Sequence, residues 1–431
     1  MLSELSEMNL RLQYQNPMGK MFMWLLVLLF AWAPVSFMIV EDAGGVVWAV
    51  TVLIGMITTC LTYRGWWPEL RSSRRFIWCL GGLALYLVMP VLSYFLVDGS
   101  EFAESRVMRQ ILLLGIPVII VLFWWLRLRL QTVLILIALN ASVFGIYSLW
   151  FFTVHHYRVD AVTHAVHFGN VGLFLGVATL ALIPVVRHYG WRILAVGAAT
   201  LGITASVLAG ARGGWLAIPF LIVITLIMLT RAFKLKQYVV LGLVGLVVFV
   251  LAGLWQTKMV QNRITAAKNN IAQLSDTQAL TSVSVRILIW EQAWLEIQEA
   301  PIKGAGFSGY RDRIHAGVES GHLSEKMLAF ATEPHNEYLY QWVTRGVFGL
   351  MVFLLCLLGA SWHFSRWLLF GNTSQMVIAH VGLSLITIVA VGGLTITVID
   401  QRAVIRFLGW ILAVLMYCVW QYGNENSARK E

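Results

Sequence analysis

The sequence predicts an all-α integral membrane protein, and two observations lead to that class. Of the 431 residues, 59% are hydrophobic and only 12% are charged, a more apolar mixture than a soluble domain of this size needs. Apolar runs of about 20 residues, enough to cross a hydrocarbon layer of about 30 Å as a helix, also recur along most of the chain. We expect about twelve transmembrane helices, at roughly residues 22–40, 45–62, 76–97, 110–126, 132–154, 168–186, 191–209, 214–230, 238–256, 338–360, 376–399 and 403–421.

The first apolar run follows a basic stretch that ends at Lys20, an arrangement that signal peptides share. No small-residue cleavage site follows before Glu41 and Asp42, so we interpret the run as a retained first helix. All four cysteines fall inside apolar runs, where they behave as small hydrophobic residues and imply no disulfide framework. They are Cys60, Cys79, Cys356 and Cys418.

The distribution of basic residues predicts the orientation of the chain. Lys and Arg collect in alternate short loops, and acidic residues such as Glu101 and Glu104 collect in the opposite ones. The positive-inside rule therefore places both termini in the cytoplasm and the one long loop on the outer side. This predicts helices 1–9 in residues 1–256, an outer loop domain in 257–334 and helices 10–12 in 335–431. The formal charge of +10 then reflects anchoring to anionic membrane lipids, and we expect no nucleic-acid partner.

The long loop should contain helices. The stretch SVSVRILIWEQAWLEIQEAP has apolar residues at helical spacing and ends at Pro301, so it predicts one helix, with Ser282 or Ser284 as its cap. Trp290 and Trp294 share a face that suits the membrane interface. The glycines of KGAGFSGY, which follows, permit a close backbone approach. A second helix is expected at 258–274.

Two arginines on the outer side have two interpretations each. Arg286 lies in the first turn of the loop helix, where a cation opposes the helix dipole; it either pairs with an acid such as Glu333 or Asp276 or is solvated. Arg212, in AGARGGWLAIP, either lies at the interface as a snorkelling cation or is held by close glycine packing, ready to bind a phosphate.

Other polar residues near the outer surface have simpler explanations. Arg158 lies in HHYRVDAVTHAVHFGN with four histidines, but no carboxylate or cysteine cluster at ligand spacing supports a metal site there. We therefore expect no metal and solvated histidines. Asp400 precedes Arg402 and Arg406, which share a helix face, and an interfacial ion pair among these three would explain them.

His335, in ATEPHNEYLYQWVTRGVFGL, stands at the junction between the charged loop and an apolar helix. Pro334 suits the first position of a helix and Thr332 or Glu333 the cap before it, which puts His335 in the first turn. The positive end of the helix would keep the imidazole neutral and able to accept a proton. A capping histidine without chemistry is the alternative.

Three motifs of the second half carry a resemblance to a known family. ARGGWLAIP (211–219), SVRILIWEQAW with APIKGAGFSGY (284–310) and PHNEYLYQWVTRGVFGL (334–350) occur in the order and spacing of the O-antigen ligase and polymerase family of bacterial envelope glycosyltransferases. The chain resembles that family over about 200–360, and in the first half it agrees only in hydropathy. Its architecture is similar to that of GT-C-type glycosyltransferases.

The resemblance implies a glycosyltransferase of the inner membrane that needs neither metal nor cofactor. Its donor would be O-antigen linked to undecaprenyl pyrophosphate, and its acceptor a hydroxyl of the lipid A core, at the periplasmic face. By matching positions it implies that His335 is the general base and that Arg212 and Arg286 hold the pyrophosphate. We add Arg158 as a further candidate for pyrophosphate binding, and Asn336, Glu333 and Trp290 as supporting residues.

Three alternatives stay open. An O-antigen polymerase would use the same chemistry on a growing glycan, and the ten residues between Arg158 and Gly169 resemble a spacing found in polymerase loops. A ligase of the same family could instead transfer the glycan to protein. A transporter or flippase would recruit an anionic lipid with the same arginines, but it should show repeats, broken helices and charges within its helices, and we find helix cores almost free of charge.

Overall fold

The computed structural model describes residues 17–40, 42–159, 161–234 and 282–423. Within these ranges the chain forms helices joined by turns. In chain order, the helices are α1 (Pro17–Met38), α2 (Ala43–Leu61), α3 (Tyr63–Ser72), α4 (Arg74–Leu96), α5 (Glu101–Ile111), α6 (Ile116–Leu126), α7 (Leu130–His155), α8 (Ala165–Thr179), α9 (Tyr189–Ala209), α10 (Arg212–Trp215), α11 (Ile218–Phe233), α12 (Ser282–Glu299), α13 (Gly306–Glu319), α14 (Glu337–Phe370), α15 (Thr373–Gly392) and α16 (Arg402–Tyr422). Short 3₁₀ turns lie at Leu112–Gly115, Leu180–Leu182 and Glu325–Phe330.

Nine helical spans among the described residues are long and apolar enough to cross a membrane, which identifies a multi-pass membrane protein. The segment α5–α6 counts as one of them, because the 3₁₀ turn between the two helices does not interrupt it. The first predicted span coincides with α1. The predicted span at 214–230 is divided into the short helices α10 and α11. The span at 238–256 and the loop helix at 258–274 lie outside the described residues, so the count of twelve stays a prediction.

The centre of the bundle is built on close helix contacts at glycines. Helix α8 is buried on nearly all sides, and it packs against α9 with almost no space between the backbones. A Cβ atom on Gly176 would lie 2.8 Å from the carbonyl oxygen of Ala199, and one on Gly202 would lie 2.7 Å from the Cα of Gly176. Small residues at such crossings are what membrane helices use to approach closely.

The described part of the long loop packs as a small unit of its own on the start of α14. Helix α12 begins at Ser282 and ends at Glu299, as the sequence predicts. Its apolar face, with Val285, Ile289, Ala293 and Ile297, meets Tyr310 and Ile314 of α13 and Val343 of α14. Arg313 of α13 forms ion pairs with Glu296 and Glu299 of α12.

Helix α14 is broken at Gly346, where φ is 67° and ψ is −171°. A Cβ atom there would lie 1.8 Å from the carbonyl oxygen of Ile302, so only glycine leaves room for the loop. Hydrogen bonds on both sides of the break hold the loop in place, from Val347 N to Pro301 O (3.0 Å) and from Ala305 N to Val343 O (2.7 Å). The break therefore seats the turn between α12 and α13 against α14.

Candidate functional site

The connecting loops at one end of the bundle touch one another. The amide of Val159 donates to Leu208 O (3.1 Å), and that of Glu337 donates to Gly393 O (2.7 Å). Thr163 Oγ1 donates to Gln401 Oε1 (2.6 Å). We call this end the rim; it comprises the loops at 97–100, 156–159, 161–164, 210–217, 300–336 and 393–401, together with α5 and the adjoining first or last turns of the other helices. All the candidate residues named from sequence lie on the rim or on the helices that start or end there.

His335 lies before the helix, not in its first turn, and this corrects the prediction from sequence. Asn336 is the N-cap, because its Oδ1 accepts from the amides of Tyr338 (3.0 Å) and Leu339 (3.2 Å). His335 takes a left-handed backbone conformation, with φ at 47°. Asparagine is among the best N-cap residues, and Asn336 occupies that position instead of Thr332 or Glu333. Neither Thr332 nor Glu333 is therefore the cap of α14, and His335 is not one of its helical residues.

The nearest charge to the imidazole is the carboxylate of Glu333. His335 Nδ1 lies 3.3 Å from Glu333 Oε1 and hydrogen-bonds to it. An acceptor at that distance requires a proton on Nδ1, which leaves the lone pair of a neutral imidazole on Nε2. Glu333 is buried, whereas the side chain of His335 is 28% exposed. The arrangement fixes one tautomer and presents a basic nitrogen that a ligand can reach.

The ionised form of Glu333 is favoured in the fold. Burial alone would raise its pKa, but the hydrogen bond from His335 and the electrostatic interactions with His335, His167 and Arg106 outweigh that effect and hold the pKa below its usual value. Its second oxygen, Oε2, is buried and has no hydrogen-bond partner among the described residues. The carboxylate is therefore a fixed negative charge beside the imidazole.

Trp290 and Asn336 support the segment that carries His335. The indole Nε1 of Trp290 donates to Pro334 O at 3.0 Å, and Asn336 Nδ2 donates to Leu394 O at 3.3 Å. The ring of Phe330 lies edge-on to the imidazole, with centroids 5.8 Å apart. These contacts connect His335 to α12 on one side and to the loop after α15 on the other.

Arg212 and Arg158 are both exposed on the rim. Arg212 begins α10, whose glycines pack tightly: a Cβ on Gly213 would lie 2.2 Å from Thr395 Oγ1, next to the Leu394 carbonyl that Asn336 contacts. Arg158 precedes Val159, which is bonded to Leu208 near the end of α9. The close packing predicted around Arg212 is present in the backbone, while its side chain is exposed.

Arg286 lies on α12 one turn before Trp290, on the same face of the helix. Its side chain is half-buried, and that burial lowers the pKa of its guanidinium, which nevertheless stays protonated at neutral pH. The structure thus brings together Glu333 and His335, which are in direct contact, and Trp290, which bonds to the Pro334 backbone between them. Asn336 follows in the chain, and the three arginines lie on separate elements: the loop before α8, α10 and α12.

Asp400 does not pair with Arg402 or Arg406, which corrects the ion pair expected from sequence. Its carboxylate forms a buried ion pair with Arg106 of α5, and Arg109 Nη1 lies 3.6 Å from the same oxygen. The backbone is extended at Gln401, and α16 starts only at Arg402, so Asp400 is not on the helix face that carries the two arginines. Tyr340 Oη also donates to Asp400, at 2.9 Å.

A buried polar network lies directly below the rim, formed by Glu337, Gln341, Arg345, Gln110 and Tyr86. Gln341 Nε2 donates to Glu337 Oε1 (2.6 Å), and Arg345 donates to Gln341 Oε1 and to Gln110 Oε1 (2.6 Å). The other Glu337 oxygen accepts from the amides of Val398 (2.6 Å) and Ile399 (3.0 Å). The network therefore fixes the backbone just before Asp400.

Sequence reasoning missed this network, and the expectation of helices almost free of charge is wrong for α14. Glu337 and Arg345 are both buried there. The available signal was the spacing of Glu337, Gln341 and Arg345 by four residues each, which lines up polar side chains on one face of an otherwise apolar helix. Arg106 and Arg109 carried a similar signal, three residues apart near the start of an apolar run.

The four rim histidines differ in exposure, and the expectation that they are solvated is wrong for His167. His164 Nδ1 accepts from the amide of Val166 (3.3 Å) and caps α8, His167 is buried, and His155 and His156 are exposed. No group of three His, Cys, Asp or Glu residues that could hold a metal ion occurs in the ranges that the structure describes.

Comparison with known proteins gives two matches. Residues 196–354 match the model of a family described as O-antigen ligase, and this segment contains the hairpin of Arg212, helix α12 and the start of α14. An uncharacterized protein of Haemophilus influenzae strain Rd is 28% identical over 279 residues, which cover 63% of this chain and 69% of that protein.

Proposed function

We propose that the chain, whose residues 196–354 match the model of a family described as O-antigen ligase, transfers O-antigen polysaccharide from undecaprenyl pyrophosphate to the lipid A core. The observation that carries this proposal is the Glu333–His335 pair on the rim, in which a buried carboxylate holds Nδ1 and leaves Nε2 accessible. The reaction would take place at the periplasmic face of the bacterial inner membrane, with both termini in the cytoplasm.

The proposed step is a direct displacement at the anomeric carbon of the donor sugar. A hydroxyl of the acceptor forms the new carbon–oxygen bond, while the bond from that carbon to the phosphate oxygen breaks and its electron pair leaves with the pyrophosphate. His335 Nε2 accepts the hydroxyl proton, and Glu333 stabilises the imidazolium that results. The departing pyrophosphate already carries negative charge, so cations rather than an acid are needed on that side.

The cations would be Arg212 and Arg286, with Arg158 as a third. Guanidinium groups bind phosphate oxygens through two parallel hydrogen bonds, and no metal or cofactor is required for this role. Replacing Arg212 or Arg286 with Ala should weaken the use of the donor, and full activity in both variants would remove their proposed role. A single displacement inverts the anomeric configuration, which NMR of the linkage before and after transfer would test.

The spacing between Arg158 and Gly169, one argument for a polymerase, has another explanation in the structure. Gly169, at the end of the Arg158 spacing, packs against the hairpin before α10: a Cβ there would lie 2.4 Å from the Cβ of Ala211. Helix packing is thus a sufficient reason for a glycine at that position. The charges buried in α14, in contrast, remove one argument against a transporter, so only an activity measurement separates these classes.

The decisive experiment supplies purified protein with a glycan on undecaprenyl pyrophosphate, in the presence of EDTA. One reaction contains lipid A core as acceptor, a second contains another lipid-linked glycan, and a third contains an acceptor protein. We expect consumption of lipid A core alone. Consumption of the second glycan would identify a polymerase, modification of the protein would identify a protein ligase, and no transfer with any acceptor would reject an enzyme of this class.

A further inference from the structure

Three arginines on the rim, Arg106, Arg109 and Arg402, form a group that the proposed reaction does not use; we call it the arginine cluster. Arg106 and Arg109 project from the second half of α5 toward Asp400. Arg402 begins α16, and its positive charge acts on Arg109 together with that of Arg106. Two cations of α5 thus contact one carboxylate, and the third cation follows that carboxylate by two residues, at the start of α16.

The cluster has more positive than negative charge. Among the described residues, the carboxylate in contact with it is that of Asp400. Glu333 also interacts electrostatically with Arg109, but it is engaged by His335. Three guanidiniums therefore face two carboxylates, and at least one positive charge is not balanced by these groups. Like charges held this close cost free energy, and an anion that joined them would recover it.

Hydrogen-bond donors of the cluster are also unused. The side chain of Arg106 is only 6% exposed, yet its Nε has no partner among the described residues, and neither does the Nε of Arg109. A buried guanidinium donor without an acceptor is costly. Arg109 is 25% exposed and Arg402 is exposed, so the cluster is accessible from outside although Arg106 is not.

The aromatic ring of Phe102 holds the cluster in a defined geometry. The guanidinium of Arg106 lies 4.7 Å from the centre of this ring, and that of Arg311, from α13, lies 4.5 Å from it. Cation–π contacts of this kind fix the plane of a guanidinium. Arg106 is therefore preorganised by Phe102 and Asp400, and less conformational freedom is lost when a ligand binds.

We propose that the arginine cluster binds a phosphate group of a glycolipid substrate, as an anion site additional to Arg212, Arg286 and Arg158. Phosphate offers oxygens that can accept from adjacent guanidinium donors, and its charge would compensate the surplus. Both substrates of the proposed transferase, on which the choice of ligands rests, carry phosphate: the acceptor on its lipid A part and the donor on its pyrophosphate.

Binding measurements test the site without requiring transfer. Purified protein in detergent is titrated with phosphorylated lipid A and with its dephosphorylated form, and separately with undecaprenyl pyrophosphate and with undecaprenol. The variant is Arg109→Gln/Arg402→Gln, which spares the buried ion pair of Arg106. Arg187→Gln serves as the matched control, because that exposed arginine lies beyond the other end of α8. Thermal unfolding verifies that both variants are folded.

We expect the double variant to bind one of the phosphorylated lipids about tenfold or more weakly than the wild type does. Its affinity for the phosphate-free counterpart should be unchanged, and the control variant should bind every lipid as the wild type does. A loss confined to lipid A assigns the site to the acceptor, and one confined to undecaprenyl pyrophosphate assigns it to the donor. Unchanged binding of both phosphorylated lipids, or equal losses with and without phosphate, would overturn the proposal. If the wild type binds in this pattern yet transfers no glycan, the anion site stands and the proposed function fails.

Discussion

The buried polar network and the arginine cluster lie next to each other, yet they balance charge differently. In the network, one carboxylate, Glu337, is matched by one guanidinium, Arg345, and every member is buried. In the cluster, two guanidiniums contact Asp400, those of Arg106 and Arg109, and the third belongs to Arg402. Arg109 is partly exposed and Arg402 is exposed. The network is neutral in sum and closed to solvent, so it can hold backbone in place. The cluster has surplus charge and an opening, so it can bind a ligand.

The contrast extends to the residues proposed for chemistry. His335 and Glu333 lie on the rim with the cluster, above the network, and the backbone amides of Val398 and Ile399 join the network to the loop that carries Asp400. Substitutions on the rim should therefore change activity more than stability. Substitutions in the network should do the opposite.

The largest effect is expected for His335→Ala. Removal of a general base lowers the rate of transfer by about 10² to 10⁴-fold, while the free energy of unfolding should hardly change because the side chain is partly exposed. Rates of glycan transfer by the purified protein measure this, and His315→Ala, an exposed histidine of α13, is the control. A transporter would tolerate both substitutions equally.

Arg345→Met should reduce stability more than any substitution on the rim. It leaves Glu337 as a buried charge without its compensating cation, which costs about 3–5 kcal/mol. Thermal unfolding in detergent measures the loss. The double variant Glu337→Gln/Arg345→Met removes both charges and should recover part of it; a double variant less stable than the single one would contradict the view of a balanced pair.

Glu333→Gln should reduce transfer and also change how stability depends on pH. Loss of a hydrogen bond to a charged group costs about 1.5–3 kcal/mol. Because the fold holds the pKa of Glu333 below its ordinary value of 4.5, the wild-type carboxylate stabilises the fold above that pH, and this contribution is lost as the pH falls through the lowered pKa. When the pH is lowered from neutral to acid, the free energy of unfolding should decline less in the variant than in the wild type. Glu319→Gln, at an exposed position, should follow the wild type.

Asn336→Ala tests the corrected start of α14 and should have the smallest effect. Loss of an N-cap side chain costs about 0.5–2 kcal/mol, and Asn336→Ser, which keeps a capping oxygen, should lose much less. Unfolding temperatures of the two variants compare them. If alanine and serine behave alike, Asn336 does not cap the helix in solution.

The membrane helices and the loop helix could be predicted from sequence because both depend on local pattern. Apolar runs of sufficient length specify the spans, and Pro301 ends the apolar periodicity of α12. The position of His335 could not be decided in this way, since Thr332, Glu333 and Asn336 all suit an N-cap and tertiary contacts choose among them. The pairing of Asp400 with Arg106 joins residues from opposite halves of the chain, and only the fold brings them together.

The break at Gly346 also decides how deeply the charged part of α14 can lie. A continuous helix of 34 residues would measure about 51 Å, far more than the hydrocarbon thickness of about 30 Å. Residues 347–370 are by themselves long enough to cross it. The nine residues before the break can then run at the depth of the lipid headgroups, where Glu337 and Arg345 need not enter hydrocarbon. A single residue without a side chain thus separates a helix that can cross the membrane from a charged segment that can lie along its surface.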